Sequence, residues 1–257
     1  MLETRVCGLP SPAVAKDELS AVRKKVALAC RILAFQGLGE DILGHVSARV
    51  DGDRILIRCR GPRERGLLFT QPGDIRLLDL SSDWRSDGNY TVPNELPIHL
   101  ALLRADPEIK AVVHAHPPAV VAADLAGIPL VPMIGAYNIP AARMAAAGIP
   151  VFGRSVLIQT QDLARDMVDT MRGRPICILR GHGITTAGAT VQQAVARALN
   201  LDSLARMACR IAAVGAVPVS IPTLDLEALP DLGGAFNDDA LWRHHVSRLD
   251  HAGLGLP

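Results

Sequence analysis

Residues 111–116 read Ala-Val-Val-His-Ala-His, an apolar run that closes on two histidines and meets Pro117-Pro118. Side chains alternate across a strand, so a strand here puts His114 and His116 on one face. The prolines then start a small-residue helix that runs to Leu125. Upstream, Glu95 to Arg104 carries Leu96, Leu100 and Leu103 on one side of a short helix, which places Glu95 and His99 together on a helical face. Downstream, a strand over 176–179 leads into Arg180-Gly181-His182-Gly183. Strand, helix and strand in succession predict an α/β domain.

Working outward, the spacing of Leu19, Val22, Val26, Ala29 and Leu33 predicts a long helix after a Ser11-Pro12 start signal, with a stop at Gly37. Helices are also expected over 160–171 and 191–214. Alternating runs broken by turn residues predict strands over 45–50, 54–58, 75–80 and 156–159. Residues 81–92 read as a polar loop. The tail over 216–257 is rich in Pro and Gly, with one helical piece over 241–249. No repeat or linker divides the chain, so residues 1–215 form the expected catalytic domain and 216–257 a C-terminal tail that packs on a neighbouring subunit.

Composition narrows the function. With 257 residues and 49% apolar, the chain can bury its own core. Lys plus Arg is 27 against 26 for Asp plus Glu, which leaves no field to hold nucleic acid or an acidic membrane surface. No apolar run approaches the roughly 20 residues of a membrane span, and no signal-like segment opens the chain, so a soluble cytoplasmic protein is expected. Five scattered cysteines, Cys7, Cys30, Cys59, Cys177 and Cys209, form no CxxC and read as reduced, buried thiols. Four lysines against twenty-three arginines leave little for imine chemistry, whereas eight histidines are a richer resource.

Two imidazoles at the spacing of His114 and His116 can chelate one divalent ion, and His182, between two glycines, is a third candidate. Three neutral imidazoles leave open positions for water or substrate, as in a catalytic site. The pair by itself can equally be cross-strand packing, and the Gly-His-Gly turn a structural one. Glu95 can serve as ligand or general base, or be an acid that stabilises a helix start.

The order Gly44-His45-Val46-Ser47, Glu95-x-x-x-His99, His114-x-His116 and Gly181-His182-Gly183 resembles the class II aldolase/adducin family over about residues 18–215. The resemblance implies a single three-layer α-β-α domain with a central, largely antiparallel sheet. It implies one divalent metal ion (Zn, Fe, Mn or Co) held by His114, His116 and His182, with Glu95 transferring protons. It also implies a homotetramer with active sites at subunit interfaces. The family's aldolases place a tyrosine from a neighbouring subunit near the site, a role for which Tyr137 is a counterpart; a buried structural tyrosine is the competing reading.

Departures from the family's pattern point to the substrate. Where the phosphosugar aldolases use small hydroxyl donors to cradle a phosphate, this chain has Gly44-His45, Pro93-Asn94 and an Arg-rich loop, Arg60-Gly61-Pro62-Arg63-Glu64-Arg65. Guanidinium groups suit planar carboxylates, although such a loop can also be solvated surface. His45, Ser47, Arg63 and Arg65 are therefore expected at the substrate, and Glu95, His99 and Tyr137 in catalysis. The segment 134–140 and the ending Leu241-Trp242-Arg243-His244-His245 are similar to the aromatic acid decarboxylase branch. The expected function is a metal-dependent carbon–carbon lyase that decarboxylates a hydroxylated aromatic acid of the dihydroxyphthalate kind. The alternatives are an aldolase or epimerase acting on an unphosphorylated sugar derivative, and a non-catalytic adducin-like module.

Overall fold

The computed structural model describes residues 16–39, 41–81 and 86–256. Its centre is a seven-stranded sheet in the order β3-β2-β1-β6-β9-β8-β7. The strands are β1 (His45–Arg49), β2 (Arg54–Arg58), β3 (Ile75–Asp79), β6 (Ala111–Ala115), β7 (Val151–Phe152), β8 (Ile176–Leu179) and β9 (Gly183–Gly188). Every pairing is antiparallel except β7 with β8. A separate hairpin joins β4 (Ser86–Asp87) to β5 (Tyr90–Thr91).

Among the described residues there are eight α-helices: α1 (Lys16–Phe35), α2 (Leu96–Ala105), α3 (Pro118–Leu125), α4 (Ile139–Ala146), α5 (Gln161–Met171), α6 (Val191–Ala213), α7 (Thr223–Ala228) and α8 (Leu241–His251). Helices α1, α3, α6 and α8 cover one face, where Val46, Ala48, Val113, Ala115 and Ile184 meet Ile32, Leu33, Val120, Leu201 and Leu249. Helices α2 and α5 cover the other, where Ile55, Ile57, Val112 and Leu179 meet Ile98, Leu102 and Met167. The three-layer arrangement with a largely antiparallel sheet is the one expected.

Local differences have physical causes. The 81–92 stretch is not wholly loop, since Gly88 takes a positive φ of 61° and closes the β4–β5 hairpin. The strand expected over 156–159 does not form; the edge strand is Val151–Phe152, parallel to β8. Strand β9 was not foreseen because a Thr-Thr pair between glycines lacks an apolar pattern. It is nonetheless buried along its length between β6 and β8. Helix α4 has only eight residues, too few for a period, and starts where the Asn138 side chain accepts from the Ala141 N–H. The Ser11-Pro12 signal and Cys7 lie outside the described residues.

The C-terminal segment packs against its own chain. Leu249 is fully buried, Trp242 and Val246 lie against the same core, and the guanidinium of Arg31 on α1 donates to the carbonyls of Leu254 and Gly255 at 2.7 and 3.0 Å. Cys30 and Cys177 are buried thiols, which burial pushes up to about 12. Among the described residues no helix is long and apolar enough to cross a membrane.

Candidate metal centre

Strand alternation builds the floor of the site. In β1, Val46 and Ala48 face the α1–α6 layer, so His45 and Ser47 face α2. His114 on β6 lies opposite His45 on one side and Thr185 on the other, and its side chain also faces α2. His116 follows the last residue of β6, and its ring still turns back, Nε2 lying 2.8 Å from His114 Nε2.

The Gly-His-Gly turn between β8 and β9 brings in the third imidazole. Gly181 has a φ of +60°, and its N–H donates to Asp124 Oδ2 at 2.8 Å. A Cβ at Gly183 would lie 2.4 Å from the Ala115 carbonyl oxygen, so only glycine lets β9 approach β6 there. The His182 ring consequently sits 4.8 Å from that of His116 and 5.0 Å from that of His114. Asp124, a buried carboxylate that also meets Arg180 at 3.1 Å, anchors this turn. It was not singled out from the sequence, although an acid in a helix of alanines and valines is the signal that could have found it.

Glu95 immediately precedes α2 without capping it through its side chain, and is 5% exposed. Its Oε1 accepts the Ile158 N–H at 2.9 Å, which gives the irregular 156–159 stretch its purpose. Its Oε2 lies 3.1 Å from His114 Nε2 and 3.4 Å from His182 Nε2. The donor atoms of Glu95, His114, His116 and His182 all lie within 4.8 Å of one another. Burial opposes the charge on Glu95, and the His114 and His182 imidazoles beside it outweigh that cost, holding the carboxyl well below the usual carboxylate range. Burial, with His114 and His182 adding to it, lowers His116 to about 3, so its imidazole is neutral at neutral pH.

These residues fit a divalent ion. Both nitrogens of His182 and Nδ1 of His114 are buried without a hydrogen-bond partner among the described residues. Three imidazoles and an ionised carboxylate crowd their lone pairs toward one point, an arrangement that a borderline cation relieves.

Behind the cluster lie His45, His99 and Ser47. His45 Nδ1 is 2.7 Å from His99 Nε2, and His99 Nδ1 is 2.6 Å from Ser47 Oγ. His99, expected to act on substrate, is fully buried, as is Ser47; each points at the other rather than at open space. Burial lowers His99 to about 3 and His45 well below its usual range, with His114 reinforcing both.

The Arg-rich loop is anchored rather than loose. Buried Arg58 donates to Glu64 Oε1 at 2.6 Å and to the Gly44 carbonyl at 3.2 Å, tying the loop to the start of β1. Arg60 pairs through its backbone with Thr91, four residues before Glu95. Arg63 and Arg65 are exposed and border a hollow of about 660 Å³ together with Phe69, Gln71 and Tyr90; no member of the four-residue cluster lines it. Tyr137 sits in a one-turn segment, is 73% exposed, and makes no hydrogen bond with the cluster among the described residues.

Comparison with known proteins places this architecture. The chain is 50% identical to a 3,4-dihydroxyphthalate decarboxylase of Terrabacter sp. (strain DBF63) over 233 residues, 90% of this chain and 98% of the relative. It is 48% identical to the protein of the same name from Arthrobacter keyseri over 237 residues, 91% of this chain and 96% of the relative. An aldolase II superfamily protein from Pseudomonas syringae superposes with a TM-score of 0.75 at 21% identity, covering 94% of this chain and 96% of the other, a likeness of fold. Residues 24–209 match the Class II Aldolase and Adducin N-terminal domain, and with that match this chain belongs to the class II aldolase/adducin family, whose members are typically dependent on a divalent metal.

Proposed function

We propose that this enzyme is a metal-dependent decarboxylase of a hydroxylated aromatic acid of the dihydroxyphthalate kind. The observation that carries the reading is near-50% identity with decarboxylases of that name along nine-tenths of both chains. The Glu95, His114, His116 and His182 cluster supports it. In this reading His114, His116 and His182 hold the ion. When bound, it supplies a Lewis acid for charge that develops on the substrate oxygens.

Loss of carbon dioxide leaves an electron pair on a ring carbon, and that carbon needs a proton. Glu95 is suited to both halves of the transfer. Its ionised Oε2 takes the proton of a substrate hydroxyl, and after the C–C bond breaks it returns the proton to the ring carbon. The product leaves as a phenolate and takes its last proton from water. Oε1, bonded to the Ile158 N–H, keeps the carboxylate from turning away. Arg63 and Arg65 pair with a carboxylate that projects toward their loop. Tyr137, exposed in one chain, serves a site completed by a neighbouring copy in a tetramer; a fully active monomer in light scattering would refute that part.

The test is a substrate panel on protein of measured metal content. Carbon dioxide released from hydroxylated phthalates supports the reading. An aldehyde released from short sugars, with no carbon dioxide from any acid, replaces it with aldol cleavage.

A further inference from the structure

The chain of hydrogen bonds behind the cluster has a direction. Ser47 is fully buried, and its hydroxyl meets Nδ1 of His99 and no other acceptor among the described residues. A buried hydroxyl proton with one acceptor in reach goes to that acceptor, so Ser47 donates to His99. A neutral imidazole that accepts at Nδ1 carries its proton at Nε2, and His99 Nε2 therefore donates to His45 Nδ1 at 2.7 Å. His45, accepting at Nδ1 in turn, keeps its own proton at Nε2. One serine hydroxyl thereby sets the tautomer of two histidines.

Exposure separates their roles. Ser47 and His99 are 0% exposed and cannot touch a ligand, whereas His45 is 6% exposed and its ring lies 4.8 Å from that of His114. The Nε2 of His45 has no hydrogen-bond partner among the described residues, yet it is not among the buried unpartnered nitrogens. It is the open end of the chain.

We propose that Ser47 and His99 are positioning residues that lock His45 in its Nε2–H form, and that His45 donates this N–H to a carboxylate oxygen of the substrate beside the metal cluster. This rests on the acid-substrate reading above and deepens it. A hydroxyl oxygen can also accept this N–H, but its own proton must then find an acceptor elsewhere, because a ring locked as a donor cannot take it. A carboxylate is acceptor-only, and a bond to it is stronger than one to a neutral oxygen. The site is therefore selective for acids over polyols.

Binding to the zinc-loaded protein tests this without reference to turnover. Dihydroxybenzoate and catechol share vicinal hydroxyls, and only the first carries a carboxylate. In His45→Asn the side-chain carbonyl can still accept from His99, but the N–H no longer extends into the site. Calorimetry should show dihydroxybenzoate weakened about ten- to a hundredfold, the range for hydrogen bonds to charged groups, with catechol within about twofold. Ser47→Ala frees His99 to take either tautomer. Nitrogen NMR of the His45 ring should then pass from an Nε2-protonated form to a mixture, and dihydroxybenzoate should weaken a few-fold. Equal losses for both ligands, no loss for either, or a wild-type His45 protonated at Nδ1 would each overturn the proposal. A protein that releases no carbon dioxide yet loses only carboxylate binding in His45→Asn would sink the decarboxylase reading and leave this one standing.

Discussion

On β1 and β6 the side chains of Val46, Ala48, Val113 and Ala115 point to the α1–α6 layer and are sealed in an apolar core. Their neighbours His45, Ser47 and His114, one residue out of phase, point to α2 and form a buried polar network. The backbone is the same on both faces, and so is the burial. What differs is how each face answers the cost of burial: the first needs no partners, whereas the second must satisfy every nitrogen and oxygen or pass its lone pairs to an ion. The lesson is that stability and chemistry are assigned to opposite sides of one sheet, and variants on the two sides should fail in opposite ways.

The largest contrast is expected between His114→Ala and Ile184→Ala. Removing His114 should abolish metal retention and activity together, while the purified variant still unfolds cooperatively. Ile184, fully buried on the apolar face, should show the reverse. Its truncation should cost about 2–5 kcal/mol in urea unfolding, with metal content per folded chain unchanged. If both variants lost stability and both kept metal, the division between the faces would be wrong.

Glu95→Gln keeps the shape of the side chain and one oxygen for the Ile158 N–H, but cannot take a proton. Turnover should fall about 100- to 10,000-fold. A rate within a few-fold of wild type would reduce Glu95 to a helix-start acid.

The polar face should also carry a pH dependence that the apolar face lacks. Burial lowers His99 from the ordinary imidazole value of 6.5 to about 3. The unfolded chain therefore binds a proton that the folded chain refuses, and stability falls as the pH drops from about 6.5 toward 3. The slope for one such group is about 1.4 kcal/mol per pH unit. In metal-free protein His99→Gln should lose that share of the slope, and denaturant midpoints measured across the window would reveal it. An unchanged slope would mean that His99 is not kept neutral by burial.

The smallest effect is expected at the Arg-rich loop, whose hollow is not lined by the cluster. Arg63→Lys should raise KM about tenfold for a dicarboxylate and leave metal content alone, because lysine cannot reproduce a paired guanidinium bond. Wild-type KM in both Arg63→Lys and Arg65→Lys would make this loop a solvated surface.

Much of the fold was legible because its signals are local. The 3.6-residue spacing that makes α1, α5 and α6, and the alternation that makes β1, β2 and β3, come from side chains within a turn or a strand of one another. Strand β9 was not legible, since Gly-Ile-Thr-Thr-Ala-Gly forms a strand only when β6 and β8 stand on either side of it. The edge strand β7 likewise exists only through β8.

The candidate site divides along the same line. By itself the sequence determined which residue types were available: an H-x-H on an apolar run, a histidine between glycines, and an acid and a histidine one helical turn apart. Spacing along a chain is enough to say that such groups share a face. Only the tertiary structure decided which groups meet. It set His45 opposite His114 through strand register, brought His182 in through the close approach that Gly183 permits, and turned Glu95 Oε2 toward both imidazoles. It also withdrew His99 and Ser47 into a second layer. The physical reason is that a period assigns a face within one element, whereas contact between elements depends on register and packing contributed by residues far away in the chain.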